Sequence, residues 1–163
     1  MNAFDAIKTG IDMSQMISMG YIEDLADNDM MKRPAAGCNH IKWQMGHLIE
    51  SENMMVETCF PGAMPKLPAS FKEKYTKEKA NSDNATDFHS KAELMAVYQE
   101  QRAATLKALG KLKEADLDKP THESMQSYAP TIGAMFSMQG SHWLMHAGQW
   151  AVIRRQLGRK PLF

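Results

Sequence analysis

The chain has little cysteine, no net charge and no long apolar run. Only Cys38 and Cys59 are cysteines. They flank a helical stretch of about 20 residues, roughly 30 Å at the helical rise, so one disulfide between its ends is not expected. Two free thiols of a reducing, cytoplasmic compartment are. No stretch approaches the apolar length needed to span a bilayer, and no basic segment followed by an apolar run opens the chain. Neither a membrane anchor nor a secretory leader is therefore expected. The 19 Lys and Arg balance the 19 Asp and Glu, for a formal charge of zero. Without a dominant basic patch, nucleic acid is not expected as the main partner, because phosphate neutralisation supplies most such affinity. There is no β-type alternation of useful length and no internal repeat.

What the chain does have is a globular composition, with 44% apolar residues over 163 positions. That is enough for a single domain spanning 1–163 with a sizeable core. Fifteen methionines fit adaptable core filling better than a set of thioether ligands. Charge is uneven: residues 1–30 hold six acids against one lysine, whereas Arg154, Arg155, Arg159 and Lys160 crowd the C-terminal end. A solvated acidic face and a basic helix end that complements the macrodipole account for this. The same basic residues could receive an anionic substrate or a partner's acidic helix.

Four long helices are legible. The first runs from about Ala3 to Asp27, with Phe4, Ile7, Ile11, Ile22 and Leu25 at helical spacing. After a loop carrying Pro34 and Gly37, Asn39 is a candidate N-cap for a second helix reaching Thr58. Residues 61–88 show no periodicity and contain three prolines and five lysines; a connection this long is a crossover or a functional loop. Ser90, with Glu93 three residues on, forms a capping box for a third helix to about Leu112. Its inward positions are Leu94, Val97, Tyr98, Gln101, Thr105 and Ala108. A second connection, 113–130, leads to a last helix that starts near Thr131 and stops at Leu157, with Gly158 placed for a C′ cap. The expected fold class is all-α, a four-helix bundle with long crossover connections.

The chemistry-bearing residues are histidines. His142 and His146 lie one helical turn apart, so both imidazoles leave the same face of the last helix. That face also carries Met135, Gln139, Gln149 and Ile153 and points inward. His47, on the second helix, is a third candidate. Three imidazoles from two helices suit a divalent transition metal with an open coordination position. The spacing also fits core histidines that hydrogen-bond across the bundle, as buried polar groups must. The intervening glutamate of the zinc-protease motif is missing.

Two segments carry a family resemblance: Trp43-Gln44-Met45-Gly46-His47-Leu48-Ile49-Glu50, and His142-Trp143-Leu144-Met145-His146-Ala147-Gly148-Gln149. The second continues through Arg154-Arg155-Gln156-Leu157-Gly158-Arg159-Lys160-Pro161. With the helix order and chain length, they make the sequence resemble the DinB/YfiT-like superfamily of bacterial four-helix-bundle proteins along essentially its whole length. The resemblance implies a metal site at His47, His142 and His146 holding zinc or nickel. Ala147 departs from the basic residue that many members carry before the Gly-Gln pair, which alters the surroundings but not the ligands.

The resemblance also implies chemistry. Characterised members use low-molecular-weight thiols as isomerases or S-transferases, so metal-assisted thiol transfer on a small-molecule substrate is the leading expectation. Metal-dependent hydrolysis and a non-catalytic, stress-induced metal-binding role are the alternatives, and no catalytic residue is identified. A homodimer is expected, with Met13, Met16, Ile17 and Met19 offering the first helix a second packed face. Around the site, Gln149 is expected to orient a ligand histidine or to bond within the bundle, and Gly148 to pack helices closely. Glu50 sits on an exposed position within reach of His47. Trp43, Trp143 and Trp150 are expected to pack around the site, and His40, His89 and His122 to be solvated.

Overall fold

The computed structural model describes residues 1–162, and among these the architecture is entirely helical. Four long helices, α1 (Ala3–Glu23), α2 (Ile41–Cys59), α4 (Lys91–Leu109) and α5 (Ile132–Gln156), are accompanied by a single turn, α3 (Phe71–Lys74), in the first crossover. The only β-type pairing among the described residues is an isolated bridge between Pro120 and Thr131. No helix among them is long and apolar enough to cross a membrane. Both cysteines are free.

Local chemistry sets the helix ends. Asn2 and Asp5 form a capping box at α1, and Ser90 and Glu93 form another at α4. The Thr131 hydroxyl accepts from the Ala134 amide at 3.2 Å to start α5. At the other end Gly158 adopts φ +69°. The Gly158 and Arg159 amides return to the carbonyls of Arg155 and Arg154, a Schellman closure that requires this backbone sign.

Three boundaries differ from the periodicity reading. α1 stops at Glu23, four residues early, because residues 24–27 fasten neighbouring helices. Lys91 Nζ donates to the carbonyls of Glu23 and Leu25 at 2.8 and 2.7 Å, while the Asp27 carboxylate takes Lys42 Nζ and the Lys91 amide at 2.6 and 2.7 Å. α4 stops at Leu109, before Gly110. The cap of α2 is His40, not Asn39: its Nδ1 accepts from the Trp43 amide at 3.0 Å.

α1 lies along α5, and α2 packs on both α4 and α5. The backbones of α1 and α5 come close where Gly140 faces Gly10. A Cβ at position 140 would stand 3.0 Å from the Gly10 carbonyl oxygen, so glycine is what permits this spacing.

The interior has two apolar clusters. One gathers Ile22, Met45, Leu48, Leu94, Trp143 and Trp150; the other gathers Ile11, Met55, Leu109, Met135 and Phe136. Between them every long helix contributes buried polar residues: Ser14 and Ser18 from α1, Glu52 and Asn53 from α2, Gln101, Arg102 and Thr105 from α4, and Gln139 from α5. At the centre, Arg102 Nη2 contacts Glu52 Oε2 at 2.9 Å, with the two side chains 3% and 1% exposed. Trp143 Nε1 donates to the same carboxylate oxygen at 3.3 Å, and Arg102 Nη2 also donates to the Gln139 carbonyl at 3.2 Å. The guanidinium lies 5.6 and 5.7 Å from the ring centroids of Tyr98 and Trp143. Burial pushes the Glu52 carboxyl up, and Arg102 opposes the shift.

Removing one member of such a pair leaves an uncompensated charge in a dry interior. Arg102→Leu is expected to lower unfolding free energy by about 3–5 kcal/mol, and the double replacement of Glu52 and Arg102 by leucine to recover most of the loss. Urea unfolding of the two variants checks this. A single variant as stable as the parent contradicts it.

Candidate metal centre

Three imidazoles meet where α2 and α5 pack. His47 comes from α2; His142 and His146 come from consecutive turns of α5. Each offers one potential ligand atom, and the three atoms lie within 4.8 Å of one another. Ring centroids are separated by 5.3 Å for His47 and His142, 5.8 Å for His47 and His146, and 5.2 Å for His142 and His146. The rings are partly buried. Sequence spacing placed two of them on one face, and the bundle brings in the third.

Two of the three rings have a positioning device. His47 stacks on Trp43, with centroids 5.1 Å apart and planes 8° from parallel. Trp43 is itself held by its indole N–H, which donates to the Thr76 carbonyl at 2.9 Å and draws the crossover over the site. Gly46 allows that crossover to close, since a Cβ there would fall 2.2 Å from the Tyr75 ring. His146 Nδ1 lies 3.1 Å from Gln44 Oε1, which also accepts from Trp150 Nε1 at 2.7 Å. His142 borders a shallow, open recess shared with Met138, Ser141 and Met145.

The electrostatics keep the rings neutral. Burial lowers His142 and His146 to about 4, with their imidazole neighbours adding to the effect. Burial also lowers His47, against a smaller raising effect of Glu50. Neutral imidazoles carry free lone pairs at physiological pH, which is the protonation state a metal requires. Three neutral nitrogen donors suit a borderline transition metal rather than calcium or magnesium, which take oxygen ligands. The donor set thus fits a divalent transition-metal ion.

Several expected site residues fall elsewhere. Glu50 is partly buried rather than exposed, and its carboxylate lies 3.8 Å from Lys72 Nζ. Gln149 does not bond a histidine; its Oε1 accepts from Gln44 Nε2 at 2.8 Å. Gly148 is exposed, with open space around it, so Gly140 and Gly46 are the close-packing glycines. Arg154 is buried and taken up by Asp24 and by the carbonyls of Tyr21 and Lys160. It cannot reach an external anion. The three tryptophans are buried, as packing residues should be. His122 is exposed, but His89 is partly buried beside Tyr75 and His40 is fully buried. Sequence reasoning missed Gln44, Glu52 and Arg102. The one available signal for Gln44 was its place three residues before His47.

The DinB superfamily pattern matches residues 11–150, which contain all three histidines. The chain belongs to the DinB superfamily. A solved structure, described as a conserved protein from Enterococcus faecalis, superposes on this DinB-superfamily chain with a TM-score of 0.70. The match covers 98% of this chain and 99% of that one at 16% identity, a likeness of fold. No curated protein matches the sequence.

His40 gives this region a pH dependence. Its Nδ1 caps α2 and its Nε2 faces the Ser82 carbonyl at 3.2 Å, an arrangement only the neutral ring satisfies. Burial, helped by Arg33, lowers it to about 4 from an ordinary 6.5. Between those values the unfolded chain binds the extra proton, so stability is full above the upper value and is lost as pH falls toward the lower. His142 and His146 titrate in the same window. Metal-free protein should therefore lose stability steadily on acidification through this range, and His40→Asn should show a shallower slope. Urea midpoints at a series of pH values read this out, and a flat profile from 6.5 to 4 would contradict the assignment.

Proposed function

We propose that this DinB-superfamily chain is a metal-dependent enzyme that transfers or rearranges groups on a low-molecular-weight thiol, with His47, His142 and His146 as the metal ligands. The observation carrying the proposal is the convergence of three neutral imidazoles from α2 and α5. Bound there, a zinc or nickel ion supplies a Lewis acid that lowers the pKa of a coordinated thiol or water.

The surrounding residues favour the thiol. The carboxylate nearest His47 in sequence, Glu50, faces Lys72 Nζ at 3.8 Å, and among the described residues no hydrogen bond joins it to an imidazole. A nucleophile that must ionise without a base is easier to supply as a thiol, with an ordinary pKa of about 8.5, than as water at about 15.7. The crossover also brings cationic groups near. Thr76 is tied to the Trp43 indole, and the adjacent Lys77 lowers the proton affinity of His47. A thiol bearing carboxylates would meet a favourable field there. Hydrolysis is the alternative that the same ion would support.

His146→Ala is expected to leave a folded bundle, because alanine favours helix and apolar packing supplies most of the stability. It should lose the bound metal and any thiol-transfer activity. Helicity, melting temperature, metal content and turnover with a panel of thiols and a generic electrophile are measured together. Unchanged metal stoichiometry in the variant, or no metal uptake by the parent, contradicts the proposal.

We also propose that the molecule acts as a homodimer. Met13 and Met16 on α1 are 51% and 59% exposed, while Ile17 and Met19 turn toward their own core. Light scattering is expected to give about twice the 18.3 kDa chain mass. The single-chain mass at micromolar concentration contradicts it.

A further inference from the structure

Gln44 is 1% exposed, and both ends of its amide are engaged. The orientation of that amide is fixed by partners that can act in only one sense. The Trp150 indole N–H is a donor only, and it meets Oε1 at 2.7 Å. The Asn39 carbonyl is an acceptor only, and it meets Nε2 at 2.5 Å. Turning the amide over would set N–H against N–H and oxygen against oxygen in a buried place. The atom 3.1 Å from His146 Nδ1 is therefore the amide oxygen. A neutral imidazole facing an acceptor must place its proton on that nitrogen, which leaves Nε2 with the lone pair. Gln149 Oε1 takes the second proton of Gln44 Nε2 at 2.8 Å and braces the amide from α5.

We propose that Gln44 is a positioning residue that locks His146 as the Nδ1–H tautomer and so presents Nε2 as its donor atom to a divalent metal. The role runs through the neighbouring histidine, since the amide oxygen is committed to two N–H donors. It also ties the start of α2 to the site: Asn39 holds the amide, the amide holds the ring, and Trp150 fixes both against α5. The metal part of this inference rests on the function proposed above; the tautomer part does not.

Long-range proton–nitrogen correlation spectra of the metal-free protein at neutral pH test the two parts separately. The parent should show His146 with its proton on Nδ1. Gln44→Leu, which keeps the apolar contacts but removes the acceptor, should move the ring to the Nε2–H form or to a mixture. It should also weaken zinc and nickel binding, read by titration with each metal alone, by about 10- to 100-fold. Gln44→Glu, as the protonated acid that the facing Asn39 carbonyl and Gln149 Oε1 favour, keeps one donor toward them and an acceptor toward both Trp150 and His146, so it should keep the parent tautomer; a purely structural role would give no such difference between the two replacements. An Nε2–H signal for His146 in the parent overturns the inference without needing a variant. So does an unchanged tautomer or an unchanged metal affinity in Gln44→Leu. Should the parent show the Nδ1–H form yet take up neither metal, the metal reading fails and the tautomer assignment stands.

Discussion

The buried pair of Glu52 and Arg102 constrains how the long helices can sit against one another. Sliding α4 past α2 by one turn, about 5.4 Å, would pull the Arg102 guanidinium away from the carboxylate, and the same slide of α5 would remove the Trp143 indole from it. An uncompensated charge would then remain between two apolar clusters, a penalty of several kcal/mol. The polar layer therefore fixes axial register, whereas the leucines and methionines on either side would tolerate more than one arrangement. His47 lies five residues before Glu52 on α2, and His142 directly precedes Trp143 on α5. The register that satisfies the carboxylate is the register that brings the three imidazoles together.

On the far side of the imidazoles the Gln44 amide performs the complementary task, setting the angle of one ring rather than the height of a helix. The first crossover closes the arrangement from outside. Arg33 Nη1 donates to the carbonyls of Cys38 and Ala80 at 2.7 and 3.0 Å, and the His40 ring meets Ser82. Thr76 receives the Trp43 indole, and Tyr75 packs over Gly46. The segment that shows no periodicity is thus fastened at several points to the helix that carries His47.

Much of this was readable in the chain. Apolar periodicity located the four long helices, and the capping box at Ser90 and the glycine at 158 marked two of their ends, because these signals are local. The histidine pair on α5 was readable for the same reason, and its partner on α2 through a family resemblance. What escaped notice depends on distant pairing. Glu52 and Arg102 each look like an ordinary exposed charge on a helix until the bundle faces them. Gln44 drew no reading of its own, while Gln149 was open between orienting a histidine and bonding within the bundle, because no pattern reveals which of two amides the bundle will turn toward a ring. His40 was misread as solvated because it sits at a helix start, where nothing in the sequence shows that Phe88 and Ser82 will fold back over it. The early end of α1 has the same origin, since Lys91 and Lys42 arrive from other helices.

The proposed centre is one divalent metal shared by His47, His142 and His146. X-ray absorption at the metal edge of protein loaded with one equivalent of zinc or nickel tests this most directly. The expected spectrum has a nitrogen-dominated first shell with the multiple-scattering signature of three histidines, and room for a further light or sulfur ligand. A shell of oxygen atoms, or one showing fewer than three imidazoles, would contradict it.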